Sequence, residues 1–452
     1  MTAIPAAPPR LVGALPLVGH ALEFLRDPTA LLTRGQLAHG NVYSLRLGRR
    51  DAVVLLGPEH SRFVFTETDR RLSFKDAYPF VMRMFDPEFY FFADDEEYQR
   101  QRSIVLPRFQ GRQLDDYVRL MSDEVQEFMH GMGESGEFDL PKVFGPMVMR
   151  IAATTLFGER FAAQLGEGEF ALFRQFSAGI NGVLPQWLPA PSLLRGIAAR
   201  KRLHTMLAGF LAQRRNEPVR PPDFFQTLAE ARYSDGSPVP DKILINMLIF
   251  LTWSGHETTT GHLCWGLVDL LQHPAESNRI VAEQREVLGS AVPRTLKQVD
   301  LMKHLDNALH ETERLRPVVF TMLRRASEDI EYGGHLIPRG SLVLVSPWVT
   351  HRLPDVFTEP DRYRPDRFRE NPKAKTNLIG FGGGIHRCLG QHFAYLEMKV
   401  VLSMLLCAYE FELLDQVPRP VKGAKTKWPA SPCRVRYTRR DGTRPDARFR
   451  ER

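Results

Sequence analysis

Residues 381–390 read Phe-Gly-Gly-Gly-Ile-His-Arg-Cys-Leu-Gly, a glycine-rich loop with one cysteine that opens a helical pattern over about 389–408. Three consecutive glycines let a backbone turn tightly and approach closely whatever it faces. A cysteine at the head of a helix meets backbone N–H donors and the positive end of the helix dipole, and both favour its thiolate. The other cysteines, Cys264, Cys407 and Cys433, have no such surroundings. No two cysteines are spaced C-x-x-C and none has the histidine neighbours of a zinc site, so these three read as packed thiols. Four cysteines in 452 residues are too few for a disulfide framework and point to a reducing compartment.

Outward from the loop, helices dominate. Helical patterns fill 110–271, and the longest starts near Asp241 and stops before Pro274, roughly 50 Å at 1.5 Å per residue. Another covers 301–316 and is ended by Pro317, which cannot continue a helix. Strand-like runs cluster at the two ends: Val42–Leu47 and 52–56 around a Gly48-Arg49-Arg50 turn, then Met322–Ala326, Ile330–Tyr332 and 341–346. Pro-rich loops at 184–191, 216–222 and 234–240 interrupt the helices, but none has the length or bias of an interdomain linker. Gly131-Met132-Gly133-Glu134-Ser135-Gly136 matches the G-x-G-x-x-G pattern. It follows a helix and not a strand, so it reads as a helix-ending turn rather than a dinucleotide site. One mainly α domain spanning 1–452 is the expectation.

Composition narrows the function. At 43% hydrophobic the chain can bury a large core, and its net charge of +7 comes from interspersed signs rather than a basic stripe. That argues against nucleic-acid binding; only 434–452 is densely basic. The N-terminal stretch has no basic leader, and Pro and Gly break its apolar run. The apolar run 243–253 is too short to span a bilayer. A cytoplasmic protein without signal peptide or membrane anchor is expected.

The 381–390 stretch matches F-x-x-G-x-H/R-x-C-x-G at every specified position and resembles the heme-binding loop of the cytochrome P-450 family. The resemblance implies a mainly α, single-domain fold with small β-sheets, in which heme b lies between the long central helix and the cysteine loop. Cys388 would ligate the iron as a thiolate, which pushes electron density to the iron and favours O–O cleavage. Phe381 and Gly390 would border the cofactor, with Gly390 allowing the following helix to pack tightly, and His386 would hydrogen-bond a heme propionate. Tyr98-x-x-x-Arg102 resembles the family's W-x-x-x-R helix, with Tyr98 in place of Trp. Arg102 and Arg324 would pair propionates.

Further resemblances supply roles. Ser254-Gly255-His256-Glu257-Thr258-Thr259 resembles the oxygen-activation motif A/G-G-x-D/E-T-S/T, departing at Ser254. It implies a local break in the helix, with Thr258 hydrogen-bonding the activated oxygen and Glu257 relaying protons. Glu311 and Arg314 resemble the E-x-x-R pair, with Glu313 and Arg316 as a competing pair, and Arg367 in the 363–368 segment resembles their partner. Residues 77–85 and 432–437 are similar to bacterial sterol 14-demethylases. The chain departs from that group at His256-Glu257-Thr258, where the group carries His-His-Thr, and at Arg83 and Asp86, where it carries Pro and Gly.

Tyr78, Phe80, Phe85, Trp253, Phe320 and Met322 match positions facing a substrate pocket. The implied reaction inserts one oxygen atom from O2 into a bulky apolar small molecule (steroid-, terpenoid- or fatty-acid-like) rather than demethylating a sterol. No flavin or iron–sulfur module is visible, so an external ferredoxin-type electron donor with its reductase is expected.

Overall fold

Asp241–Gln272 forms one helix of 32 residues, about 48 Å long. Every residue in 243–249 and in 259–270 is buried, as expected of a helix apolar on all sides. It packs against the Leu140–Phe157, Pro191–Asn216, Lys303–Leu315 and Gln391–Ala408 helices. The computed structural model describes residues 6–440 except 112, 181–189, 221, 290, 416 and 425. Positions 184–189 and 221 of the Pro-rich loops and 441–452 of the basic tail therefore lie outside the described residues.

The long helix divides the core. Its first half, with Ile243 to Ile249, joins Phe85, Phe89, Phe92, Phe173 and Phe176 in one apolar cluster. Its second half, with Leu263 to Leu270, joins the Gln113–Met132 and Gln391–Ala408 helices in another. Between them residues 253–258 are only half-buried. The expected helix ends hold to within a turn: Lys303–Leu315 stops before Pro317. Gln113–Met132 ends at Gly133 with φ +74°, which makes the glycine-rich string after it a helix terminus.

The strands near the two ends of the chain meet in one five-stranded sheet, ordered Val42–Leu47, Arg50–Leu55, Leu342–Val345, Met322–Ala326, Leu72–Ser73. Leu47 opposes Arg50 across the Gly48-Arg49 turn. Arg50–Leu55 runs parallel to Leu342–Val345. A second sheet places Arg434–Arg439 between Ser135–Asp139 and Tyr409–Leu413.

A buried ion network ties the late helices to the meander that leads into the cysteine loop. Glu311 and Arg314 are wholly buried and bond bidentately at 2.9 Å through Nε and Nη2. Arg367 Nε reaches both oxygens of the same carboxylate at 3.0 and 2.9 Å. The second guanidinium leaves a surplus positive charge, which carbonyl oxygens of His351, Arg362 and Thr358 accept at 2.8–3.0 Å. The competing pair does not form: Arg316 bonds Asp269 at 2.7 Å, and Glu313 turns to the cysteine loop. Glu311→Ala strands two buried guanidiniums and is expected to cost about 3–5 kcal/mol in urea unfolding. A loss below about 1 kcal/mol would show the network to be dispensable.

Candidate functional site

The cysteine loop is shaped by its glycines. Gly382 and Gly384 take φ of +72° and +63°, a region open to glycine at little cost. The Pro58–Thr66 helix presses on the loop: a Cβ at Gly383 would lie 2.4 Å from the Phe65 ring, and one at Gly384 2.3 Å from the Phe65 carbonyl oxygen. The Cys388 N–H donates to the Phe381 carbonyl at 3.0 Å and closes the loop. Cys388 is an exposed residue on the wall of a depression of about 460 Å3 that Arg102, Arg387, His392 and Lys399 also line. Surrounding protein pushes its thiol pKa up, while the Gly390 N–H and the Arg387 charge pull it down. The expected packing role of Gly390 is not what the structure contains. Its φ is −87° and a Cβ there would meet nothing within 4 Å, so its contribution is the N–H offered to the sulfur.

Around the loop stand two cations with no hydrogen-bonded carboxylate among the described residues, though the Asp69 charge acts on Arg324. Arg324 is 3% exposed; its Nε donates to Thr68 at 2.8 Å and its Nη1 to the Leu323 carbonyl at 2.7 Å. Burial lowers its pKa. Arg102 Nε is buried with no partner. Neither guanidinium hydrogen-bonds a carboxylate among the described residues, and a buried cation left so is costly. The donor set therefore fits heme b: one thiol for the iron, two guanidiniums for two propionates, and apolar walls from Ile385 and Leu389. Tyr98 hydrogen-bonds the loop itself, its hydroxyl donating to the Ile385 carbonyl at 2.7 Å. His386 has a protein partner in the Asp69 carboxylate and stacks on Phe74 with ring centroids 4.3 Å apart. Phe381 lies 5.5 Å from the Tyr395 ring, behind the loop.

On the long helix, Thr258 Oγ donates to the Ser254 carbonyl at 2.8 Å, one turn back. Contrary to the expected local break, the helix is continuous through this stretch: a threonine can satisfy its hydroxyl on the i−4 carbonyl while the backbone ladder persists. Glu257 accepts a hydrogen bond from the Ser177 hydroxyl. Ser177 Oγ in turn accepts from Trp253 Nε1 at 3.1 Å. His256 donates to the Gly145 carbonyl at 3.0 Å, and burial pushes its pKa down to about 4, so it is neutral and set apart from the relay.

The pocket candidates separate into groups. Phe85 is buried, 5.4 Å from Phe176, 5.7 Å from Phe250 and 6.1 Å from Trp253. Tyr78, 5.8 Å from Phe80, accepts the Leu323 N–H at 2.9 Å. Met322 touches the cysteine loop, its Sδ 3.7 Å from where a Gly382 Cβ would stand. Phe320 lies elsewhere, packed 6.2 Å from Phe24 and under the Lys427 ammonium. Sequence reasoning missed Ser177, Asp69 and Phe65, each joined to the site across 80 or more positions with no local motif to mark it.

Because the added Cβ collides with backbone at a left-handed residue, Gly384→Ala should lower stability by more than about 1–2 kcal/mol and sharply reduce the heme retained on purification. Gly390→Ala, with open space at its Cβ, should stay within about 0.5 kcal/mol of wild type. Equal losses in the two variants, measured by thermal melting and heme-to-protein absorbance, would refute the packing just described.

The cytochrome P-450 family profile matches residues 8–434. The sterol 14alpha-demethylase of Mycolicibacterium vanbaalenii is 30% identical over 454 residues, covering 97% of this chain and 99% of that protein. The lanosterol 14-alpha demethylase of Bos taurus is 30% identical over 417 residues, covering 90% and 83%. The structure of a retinoic acid-bound cyanobacterial protein, CYP120A1, superposes with a TM-score of 0.86 at 26% identity, covering 97% of this chain and all of that one. The helix-rich architecture, the cysteine loop and a profile match over nearly the whole chain agree: this protein belongs to the cytochrome P-450 family, the heme b monooxygenases.

Proposed function

We propose that this protein inserts one atom of O2 into a bulky apolar molecule of steroid, terpenoid or fatty-acid type. Cys388 is the iron ligand, Glu257 and Thr258 are the catalytic pair, and electrons come from an external ferredoxin-type donor and its reductase. The observation that carries this reading is a shared surface: Ile385 and Leu389 of the cysteine loop pack on the same apolar cluster as Trp253, Tyr78 and Phe80. A cofactor held by Cys388 would thereby adjoin the aromatic cluster beside the helix that bears the acid and the alcohol. The same continuity supports a single domain, with Arg102 and Arg324 on the propionates and Tyr98, Phe381, His386 and Gly390 holding the loop. His386 acts there through Asp69.

Heme b, when bound, supplies the iron at which O2 is activated. The chain's own residues then manage protons and water. Glu257 accepts the Ser177 hydroxyl hydrogen bond; rotation of that hydroxyl frees the carboxylate to take a proton from solvent, which it passes inward, returning to its anionic form. The Thr258 hydroxyl donates to the Ser254 carbonyl; its rotor can turn away from that carbonyl to donate elsewhere without breaking the backbone ladder. The rings of Phe85, Phe176, Phe250 and Trp253 exclude water and offer apolar contact to a substrate. Glu257 supports oxidation of such a molecule over sterol demethylation, since the sterol group carries histidine there. For electron entry, the depression beside Cys388 offers Arg387 and His392 to an acidic partner, while its Lys399 is already paired with Asp300 and Asp306. Four free cysteines suit a reducing cytosol.

No helix among the described residues is long and apolar enough to cross a membrane.

The test is turnover of a panel of sterols, retinoids, terpenoids and fatty acids under 18O2, with ferredoxin, reductase and NADPH. One labelled oxygen per product is expected, with product formed per electron falling about 100-fold in Glu257→Gln. Turnover supported by peroxide alone, or unlabelled product, would instead mark a different reaction on the same fold.

A further inference from the structure

Glu313 stands beside the Glu311–Arg314 lock yet takes no part in it. Its carboxyl is buried and reaches the cysteine loop: Oε1 accepts the Gly380 N–H at 3.1 Å, and Oε2 accepts the Tyr395 hydroxyl at 2.5 Å. The fit is close, since a Cβ at Gly380 would lie 2.6 Å from that Oε1. Gly380 immediately precedes Phe381, whose carbonyl receives the Cys388 N–H. Tyr395 lies in the Gln391–Ala408 helix that leaves the cysteine, and its ring stacks on His310 with centroids 4.3 Å apart. One side chain thus grips the chain on both flanks of the sulfur and ties them to the Lys303–Leu315 helix.

We propose that Glu313 is a positioning residue for the cysteine ligand: its buried carboxyl fixes where the loop presents the sulfur of Cys388 and sets part of the charge that the sulfur experiences. This rests on Cys388 being the iron ligand. Nearby negative charge and burial are among the levers by which a protein tunes an iron–thiolate centre. No cation hydrogen-bonds the carboxyl among the contacts that the structure gives it, and Arg387 acts on it only at a distance.

Burial pushes the Glu313 pKa up to about 7, so its charge changes near neutral pH. Besides Cys388, on whose thiol its charge acts, the groups around it lie on its own helix and on the elements packed against it. Burial pushes His262 and His310 down to about 4 and His351 to about 3, which leaves all three neutral. Tyr395 is pushed up and stays neutral. Asp306 is lowered and stays anionic, and the Arg314 and Arg387 guanidiniums complete the charged surroundings.

The experiment measures the ferric–ferrous midpoint potential and the reduced, carbon monoxide-bound spectrum of the heme-loaded full chain, for wild type, Glu313→Gln and Glu313→Leu, at about pH 6 and about pH 8.5. An ionised carboxylate favours the more positive ferric state, so the wild-type potential should fall between the two pH values more than that of Glu313→Gln. At the higher pH the Gln variant should lie above wild type. Glu313→Leu, which loses both hydrogen bonds, should convert part of the carbon monoxide spectrum to a form without thiolate. If Glu313→Leu does not fold, the Gln variant, which keeps the shape, decides alone. Gln potentials that track wild type at both pH values overturn this inference while the ligand assignment stands. A wild type without a thiolate spectrum overturns the assignment and this inference together.

Discussion

One carboxylate, that of Glu311, holds two guanidiniums in a place no water reaches. Arg314 comes from the next turn of its own helix, and Arg367 from a segment more than fifty positions downstream. Such a network is not favourable merely because opposite charges meet, for desolvating three ions costs more than most pairs return. It holds because spare donors of both guanidiniums are met by backbone carbonyls of His351, Thr358, Pro360 and Arg362 on the way to the cysteine loop. Removing one member leaves the others charged, buried and unmatched. The meander is therefore fixed in a single path, and the loop that follows inherits its position.

On that foundation the region around Cys388 is arranged as charges awaiting partners. Arg324 and Arg102 hydrogen-bond no carboxylate among the described residues, and burial holds the thiol pKa up against the smaller pull of a backbone N–H and an arginine. An anionic, largely apolar cofactor with a metal centre would satisfy all three at once. The opposite wall works differently. There Glu257, Ser177 and Trp253 form a short chain of hydrogen bonds that runs into the aromatic rings of Phe85 and Phe250. Glu313 links the buried lock to the cysteine loop, since it belongs to the helix of the lock and accepts the Gly380 N–H.

What could be read from the sequence was what is local. The cysteine loop, the i,i+3 pair of Glu311 and Arg314, the long apolar helix and the helix-ending turn at Gly133 each lie within a few residues of one another, and their physics is decided there. What could not be read was who meets whom across the chain. Asp69 takes His386 and Ser177 takes Glu257 from distant positions, and strands near the two chain ends share one sheet through the parallel pairing of Arg50–Leu55 with Leu342–Val345. Local reasoning also went astray where two local outcomes compete. Ser254 to Thr259 suggested a broken helix, but the Thr258 hydroxyl settles on a carbonyl of an unbroken one. Gly390 suggested tight packing, but its side faces open space and only its N–H matters. The preference for Glu311 and Arg314 over the competing Glu313 and Arg316 held, because the latter two each met another partner through tertiary contact.

The account turns on the sulfur of Cys388, and the most direct measurement is the reduced, carbon monoxide difference spectrum of wild type beside Cys388→Ser, both purified with heme supplied. A Soret band shifted strongly to the red of ordinary histidine-ligated heme proteins, present in wild type and absent from the serine variant, is the predicted result. An unchanged spectrum in Cys388→Ser, or a wild type that binds no heme, would contradict the account at its centre.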